Sequence, residues 1–188
     1  MTRLPPLKKT EIPDSLKPLL ELADGMMGFV PNDLYIMGRN PALIQAMGNL
    51  IEAVYVKGKL EPGFKRLIGY ITSTAYGCVY CKSHTSYGAH NNGIGSQKIA
   101  EAWHFESSAL FSDAERAALR VAQAAGLSPN TVTVTDAEFA DLKNYYSDDE
   151  IVEIVSVISM FGFLNRWNST FATDIEEEPR DFFDSLKT

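Results

Sequence analysis

Strand patterns are nearly absent from this chain. The one alternating stretch, TVTVT at 131–135, is five residues long and has no second run to pair with; Thr135 with Glu138 reads better as a helix-capping box. Cysteine is almost as scarce. The two in 188 residues, Cys78 and Cys81, are three apart, too close to staple a small secreted domain, because so short a loop hardly constrains the unfolded chain. No run of five basic residues occurs, and 17 Lys and Arg against 24 Asp and Glu leave a net charge of −7, which argues against nucleic acid as a partner. The longest uncharged apolar run, IVSVISMFGFL from Ile154 to Leu164, falls well short of the roughly 18 residues that span a bilayer. The opening MTRLPPLKKTEIPD has basic residues but no apolar core, so it does not read as a secretory signal. These absences lead us to expect a cytoplasmic protein with no membrane partner.

What is present is an ordinary foldable composition, 45% apolar and 22% charged. That length supports one domain, residues 1–188, with an N-terminal arm at 1–13 and a C-terminal tail from 174. Helix signals punctuated by Gly, Pro and Asn fill the rest. Asp14 or Ser15 is placed to cap a short helix through Leu22, and Pro31-Asn32 opens another. Pro41 starts a longer one, PALIQAMGNLIEAVY, with Leu43, Met47, Leu50, Ile51 and Val54 on one face. A helix from Glu61 to about Tyr76 ends at Gly77, and the next begins near Cys78. Gly95-Ser96 precedes QKIAEAWHFE, and Ser112 with Glu115 boxes the start of ERAALRVAQAA, which Gly126 ends. Ser147 with Glu150 opens the longest helix, running to about Phe171 and apolar nearly all round, so it is expected to be buried on every side, within the fold or between subunits. The tail DIEEEPRDFFDSLKT is expected to be a surface arm whose Phe182 and Phe183 dock on a neighbouring subunit. The expected class is all-α and oligomeric.

The chemistry concentrates in GCVYCKSHTSYGAH, residues 77–90, which holds both cysteines and two of the three histidines. With Cys78 at a helix start, Cys78, Cys81 and His84 follow at i, i+3 and i+6 and share about 120° of arc. A thiol in the first turn lies near unsatisfied N–H groups, which favours its thiolate. An imidazole one turn on can take or return a proton near neutral pH. A zinc site fits poorly, since one helical face cannot wrap a tetrahedral ion and His90 and His104 restore no finger spacing. Covalent haem would need His where Lys82 stands. No metal or cofactor is expected. The bland alternative is a pair of buried thiols that only pack.

The stretch resembles the AhpD-like alkylhydroperoxidases of the carboxymuconolactone decarboxylase superfamily, an all-helical scaffold with a C-x-x-C pair followed by His. The resemblance extends to LEPGFKRLI from Leu60, AEAWHFESSALFSDAERAAL from Ala100 and FGFLNRWN from Phe161, covering most of residues 40–175. It implies an AhpD-like helical bundle and a thiol-dependent peroxidase that reduces hydroperoxides with electrons from an external thiol or dithiol. It also implies that Cys81 attacks the peroxide and Cys78 resolves it. The residues alone leave that order open, because the helix dipole favours Cys78 and proximity to His84 favours Cys81. Two positions depart from the family pattern. Arg66 stands twelve residues before Cys78, where a proton-relay Glu is expected, and Thr85 occupies the usual place of the His. A guanidinium cannot act as a base, although it could steady a thiolate.

Two other functions compete. The first is a lactone decarboxylase like the family's namesake, for which paired thiols are unnecessary. The second is a non-catalytic redox sensor. Tyr80 is a candidate donor to a peroxide oxygen, though packing is its commoner role. His90 falls on the opposite face. Trp103 and His104 are candidate pocket residues, and Asn165, Arg166 and Trp167 could close a cavity or an interface.

Overall fold

A computed structural model describes residues 2–127 and 133–187, and among these all regular structure is helical. Thr131 and Val132 of the alternating stretch lie outside the described residues; Thr135 caps a helix, accepting the Glu138 N–H at 3.2 Å. The helices are α1 (Lys17–Met27), α2 (Asn32–Met37), α3 (Pro41–Ile51), α4 (Pro62–Tyr76), α5 (Val79–Asn91), α6 (Ser96–Ala100), α7 (Asp113–Gly126), α8 (Asp136–Leu142), α9 (Asp148–Phe171) and α10 (Glu177–Ser185).

The centre is α4, buried continuously from Gly63 to Ser73 and packed between α5, α7 and α9. Leu67, Ile68 and Ile71 are wholly enclosed, each contributing roughly 1.5–3 kcal/mol by leaving water. Gly77, at φ +87° in the left-handed region where a β-carbon is disfavoured, ends α4 and turns the chain directly into α5. At the far end of α7, a β-carbon on Gly126 would lie 2.7 Å from the Thr72 carbonyl oxygen, so glycine lets the two helices close up. A second cluster, from Leu16, Leu20, Leu34, Met37, Ile44 and Met47, joins the N-terminal segment and α1–α3.

Lys65 of α4 is 1% exposed, yet all three of its donors are used. Its ammonium meets Glu153 of α9 at 2.9 Å and the carbonyls of Val54 at 2.9 Å and Lys57 at 2.5 Å. Glu153 also accepts the backbone N–H groups of Lys59, at 2.7 Å, and Leu60, at 3.1 Å. One buried ion pair thus fastens the α3–α4 connection to α9.

Several expectations are corrected. The first helix runs to Met27, not Leu22, and a 3₁₀ turn at Asp14–Leu16 precedes it. Leu50 is exposed, because α3 gives way at Glu52–Val56 to a wider π turn, leaving Ile44, Met47 and Gly48 as the inner face. QKIAEAWHFE is not one helix: α6 stops at Ala100 and a 3₁₀ turn spans Ala102–His104. Ile99, Ala102 and Phe105, at most 1% exposed, recur every three residues, the spacing that a 3₁₀ turn stacks on one side. Along α9, Ile154 and Val157 are enclosed, but Val152 is 65% exposed and Phe163 40%, so a single copy does not bury this helix all round. The tail is helical and docks on its own chain: α10 lies along α5, and Phe182 stacks on His90 at 4.7 Å. The N-terminal arm is tied down beside it, with the Arg3 N–H bonded to the Phe171 carbonyl at 2.7 Å.

Candidate active site

Cys78 is the N-cap of α5, and its sulfur accepts the Cys81 N–H at 3.3 Å. This is the geometry expected from the Gly77 break. One turn carries the chain to Cys81, whose sulfur lies 2.8 Å from that of Cys78; both thiols are free and about 2% exposed. Hydrogen bonds from Cys81, thiol first and backbone second, hold Cys78 below the ordinary thiol value against its burial, helped by Ser169. Burial pushes Cys81 well above that value, and the neighbouring Cys78 and Asp33 charges reinforce the rise. Of the pair, Cys78 is therefore the more acidic thiol and Cys81 the one that holds its proton more tightly.

Access has the opposite bias. A cavity of about 100 Å³ is lined by Cys81, His84, Thr85, Arg66, Tyr80, Tyr55, Asp33 and Asn168 on its polar side and by Met, Leu and Phe side chains elsewhere. Cys78 is not in its wall. Thr85, at the position where the family pattern has His, turns back to donate to the Cys81 carbonyl at 2.7 Å.

His84 is buried as placed by the i, i+6 relation, but neither ring nitrogen faces a sulfur. Nδ1 is 2.9 Å from the Tyr80 carbonyl and Nε2 is 2.7 Å from Oε2 of Glu176. A carbonyl oxygen only accepts, so Nδ1 is the nitrogen placed to donate there, while Nε2 faces the Glu176 carboxylate at ion-pair distance. The Tyr80 ring stacks on His84 at 4.0 Å, its hydroxyl is 3.2 Å from Oε1 of Glu176, and it accepts the Asp33 N–H at 3.3 Å. Burial beside the Asp33 and Glu176 charges raises Tyr80 well above a free phenol, so it stays protonated.

Sequence reasoning missed Asp33, Asn168 and Glu176. Asn168 of α9 donates to Asp33 at 3.1 Å and lies 3.7 Å from the Cys81 sulfur. Burial raises the Asp33 carboxyl, with Glu176 adding to the rise and Asn168 and His84 opposing it. No local pattern marks these residues: PND reads as the start of a short helix and DIEEE as part of a surface arm, and only folding brings both to α5. Trp103 and His104, by contrast, are exposed and outside the cavity. Asn165 is buried but does not line it, and Arg166 and Trp167 border a shallow groove on another side of α9. Among the described residues no group of three or more His, Cys, Asp or Glu is placed to hold a metal ion.

Burial raises the Glu176 carboxyl, but its bonds to His84 and the Asn32 N–H outweigh that and hold it below its ordinary 4.5. A depressed carboxyl stabilises the folded state above that ordinary value, and the contribution is lost as pH falls through the lower folded one. The tie is a charge-assisted bond worth about 1.5–3 kcal/mol. The hydrogen-exchange protection of α10, corrected for the intrinsic pH dependence of amide exchange, should therefore be high at pH 7 and about 10–160-fold lower once pH falls below the ordinary carboxylate range. Glu176→Gln should show the lower protection at both pH values. A step that persists in Glu176→Gln would assign it to another group.

The fold and the site together define an all-α protein of the AhpD-like bundle class, with a paired-thiol centre opening on a small cavity. Residues 41–124 match the model of the carboxymuconolactone decarboxylase family. The chain is 35% identical to the debrominase Bmp8, a cysteine-to-alanine variant of which was crystallised with 2,3,4-tribromopyrrole; the match covers 99% of this chain and 98% of that one, with a TM-score of 0.91. Uncharacterized protein YnjA of Escherichia coli K12 is 29% identical over 167 residues, 88% of this chain and 90% of its own. An uncharacterized peroxidase-related protein from Ralstonia eutropha JMP134, described as an alkylhydroperoxidase AhpD core, shares the fold at 21% identity, with a TM-score of 0.82 over 100% of this chain and 97% of that one. This chain belongs to the AhpD-like carboxymuconolactone decarboxylase superfamily. No helix among the described residues is long and apolar enough to cross a membrane.

Proposed function

We propose that this protein is a thiol-dependent peroxidase in which Cys81 attacks a small hydroperoxide. The observation that carries this reading is a pair of sulfurs 2.8 Å apart, of which only Cys81 reaches the cavity. Cys81 first passes its proton to the Cys78 thiolate or into the Asn168–Asp33 network. Its thiolate then takes the terminal oxygen of R–OOH, giving Cys81 sulfenic acid and RO⁻, which leaves as ROH with one proton. The buried, unpartnered carbonyl oxygen of Asn168 is available to accept the substrate O–H beside that sulfur. Cys78 thiolate attacks the sulfenic sulfur, releasing water with a second proton and closing the disulfide. An external thiol or dithiol returns the two electrons. Asp33, Tyr80 and the His84–Glu176 pair surround this centre with exchangeable protons, the task that Arg66 cannot perform. The exposed apolar side of α9 supports self-association of the enzyme.

The test is anaerobic mixing of reduced protein with tert-butyl hydroperoxide. One equivalent should be consumed and two thiols lost per chain, with turnover resuming on addition of dithiothreitol. Consumption without thiol loss, or no consumption, would sink the proposal.

A second reading is reductive dehalogenation of a small aromatic ring. Likeness to a debrominase at 35% identity and the largely apolar cavity wall favour it. The electron count is the same, two thiols yielding a disulfide while C–Br becomes C–H and bromide. Bromide release from a brominated pyrrole, in the absence of peroxide consumption, would select it.

A further inference from the structure

Lys65 and Arg66 are adjacent on α4, both nearly buried, and treated in opposite ways. Lys65 has a carboxylate and two carbonyls. Arg66, 9% exposed, has no carboxylate within 4.0 Å among the described residues, and its contact within the chain is Tyr55, over whose ring the guanidinium carbon sits at 3.7 Å. Space has been kept for it: a β-carbon on Gly88 of α5 would lie 3.1 Å from Cδ and 3.2 Å from Nε of Arg66. A guanidinium removed from water without a counter-ion is costly, and buried charges are ordinarily paired. This one lines the same cavity as Cys81. Among the described residues the hydrogen bonds to the two sulfurs come from Cys78, Cys81 and Asn168, not from Arg66.

We infer that Arg66 is a substrate-anchoring residue and that the natural substrate is a small organic anion. Its carboxylate or similarly planar anionic group pairs with the guanidinium while an apolar body fills the Met and Phe side of the cavity and presents its reactive end to Cys81. Arginine suits a planar oxyanion because its fork of N–H donors matches two oxygens at once. The volume, about 100 Å³, is smaller than the roughly 150 Å³ engineered cavity that takes benzene, which limits the body to a short chain of a few carbons. This inference rests on the proposed site but not on its chemistry, since binding can be read without turnover.

The experiment compares two small probes of nearly equal shape, propionate and propionamide, by isothermal titration calorimetry on the reduced protein at low salt. Propionate is expected to bind at least about tenfold tighter, consistent with a charge-assisted pair. In Arg66→Gln that preference should vanish, and in Arg66→Lys part of it should remain. Equal binding of the two probes to the wild-type chain overturns the inference whether or not Arg66→Gln folds, and so does a preference that survives in Arg66→Gln. A chain that fails the peroxide assay yet shows the Arg66-dependent preference refutes only the proposed reaction; active turnover with no such preference refutes only the anion.

Discussion

Cys81→Ser is expected to lose steady-state turnover by at least about a thousandfold, because no other thiol lines the cavity among the described residues. Cys78→Ser should behave differently. It removes the partner that resolves the sulfenic acid but leaves the attacking sulfur, so the variant should consume one equivalent of hydroperoxide and stop, with Cys81 trapped by dimedone. The contrast is informative because acidity and access disagree. The more acidic thiol is Cys78, stabilised by the Cys81 thiol and N–H, whereas the sulfur in the cavity wall is Cys81. Replacing Cys78 also removes the like charge and hydrogen bond that raise Cys81, so the single turnover of Cys78→Ser should persist to lower pH than wild-type turnover. A stoichiometric burst in Cys81→Ser, and none in Cys78→Ser, would reverse the roles.

The second large effect concerns stability. Lys65→Met keeps most of the side-chain volume but strands the Glu153 carboxylate and the Val54 and Lys57 carbonyls. Breaking one partner of a buried pair costs about 3–5 kcal/mol, which for a chain of this size lowers the melting temperature by about 6–20 °C. Lys65→Met with Glu153→Leu should recover much of that loss, since the second change removes the stranded charge. Thermal unfolding followed by circular dichroism measures both. If the double variant is as destabilised as the sum of the single changes, the ion pair is not what holds the α3–α4 connection. Activity should fall with stability but without a change in the Cys81 pH profile, because Lys65 lies outside the cavity.

Much of the helical order was written locally. The capping boxes at Ser112, Thr135 and Ser147 each form as their spacing implies, since a hydroxyl and a carboxylate three residues apart need only the first turn of a helix to meet. The CxxC pair and its break at Gly77 were legible for the same reason. Where local reading failed, the cause was packing. The stretch after Gly95 has a helical pattern, but the core takes Ile99, Ala102 and Phe105 at a spacing of three. The tail carries too much acid to look like a core element, yet Phe182 finds His90 and Glu176 finds His84.

The sequence by itself determined the all-helical class, most helix starts and the placing of two thiols and an imidazole along one face at the start of α5, because each follows from interactions within a few residues. Only the tertiary structure decided what surrounds them. Asp33 of α2 meets Asn168 of α9 across 135 residues, and its neighbour Asn32 meets Glu176 ahead of α10 across 144; they converge where α9 and α10 pack on α5. The same packing left Arg66 in the cavity wall with no carboxylate beside it. Sequence spacing places it on α4, but the absence of a partner is a property of every element packed around it.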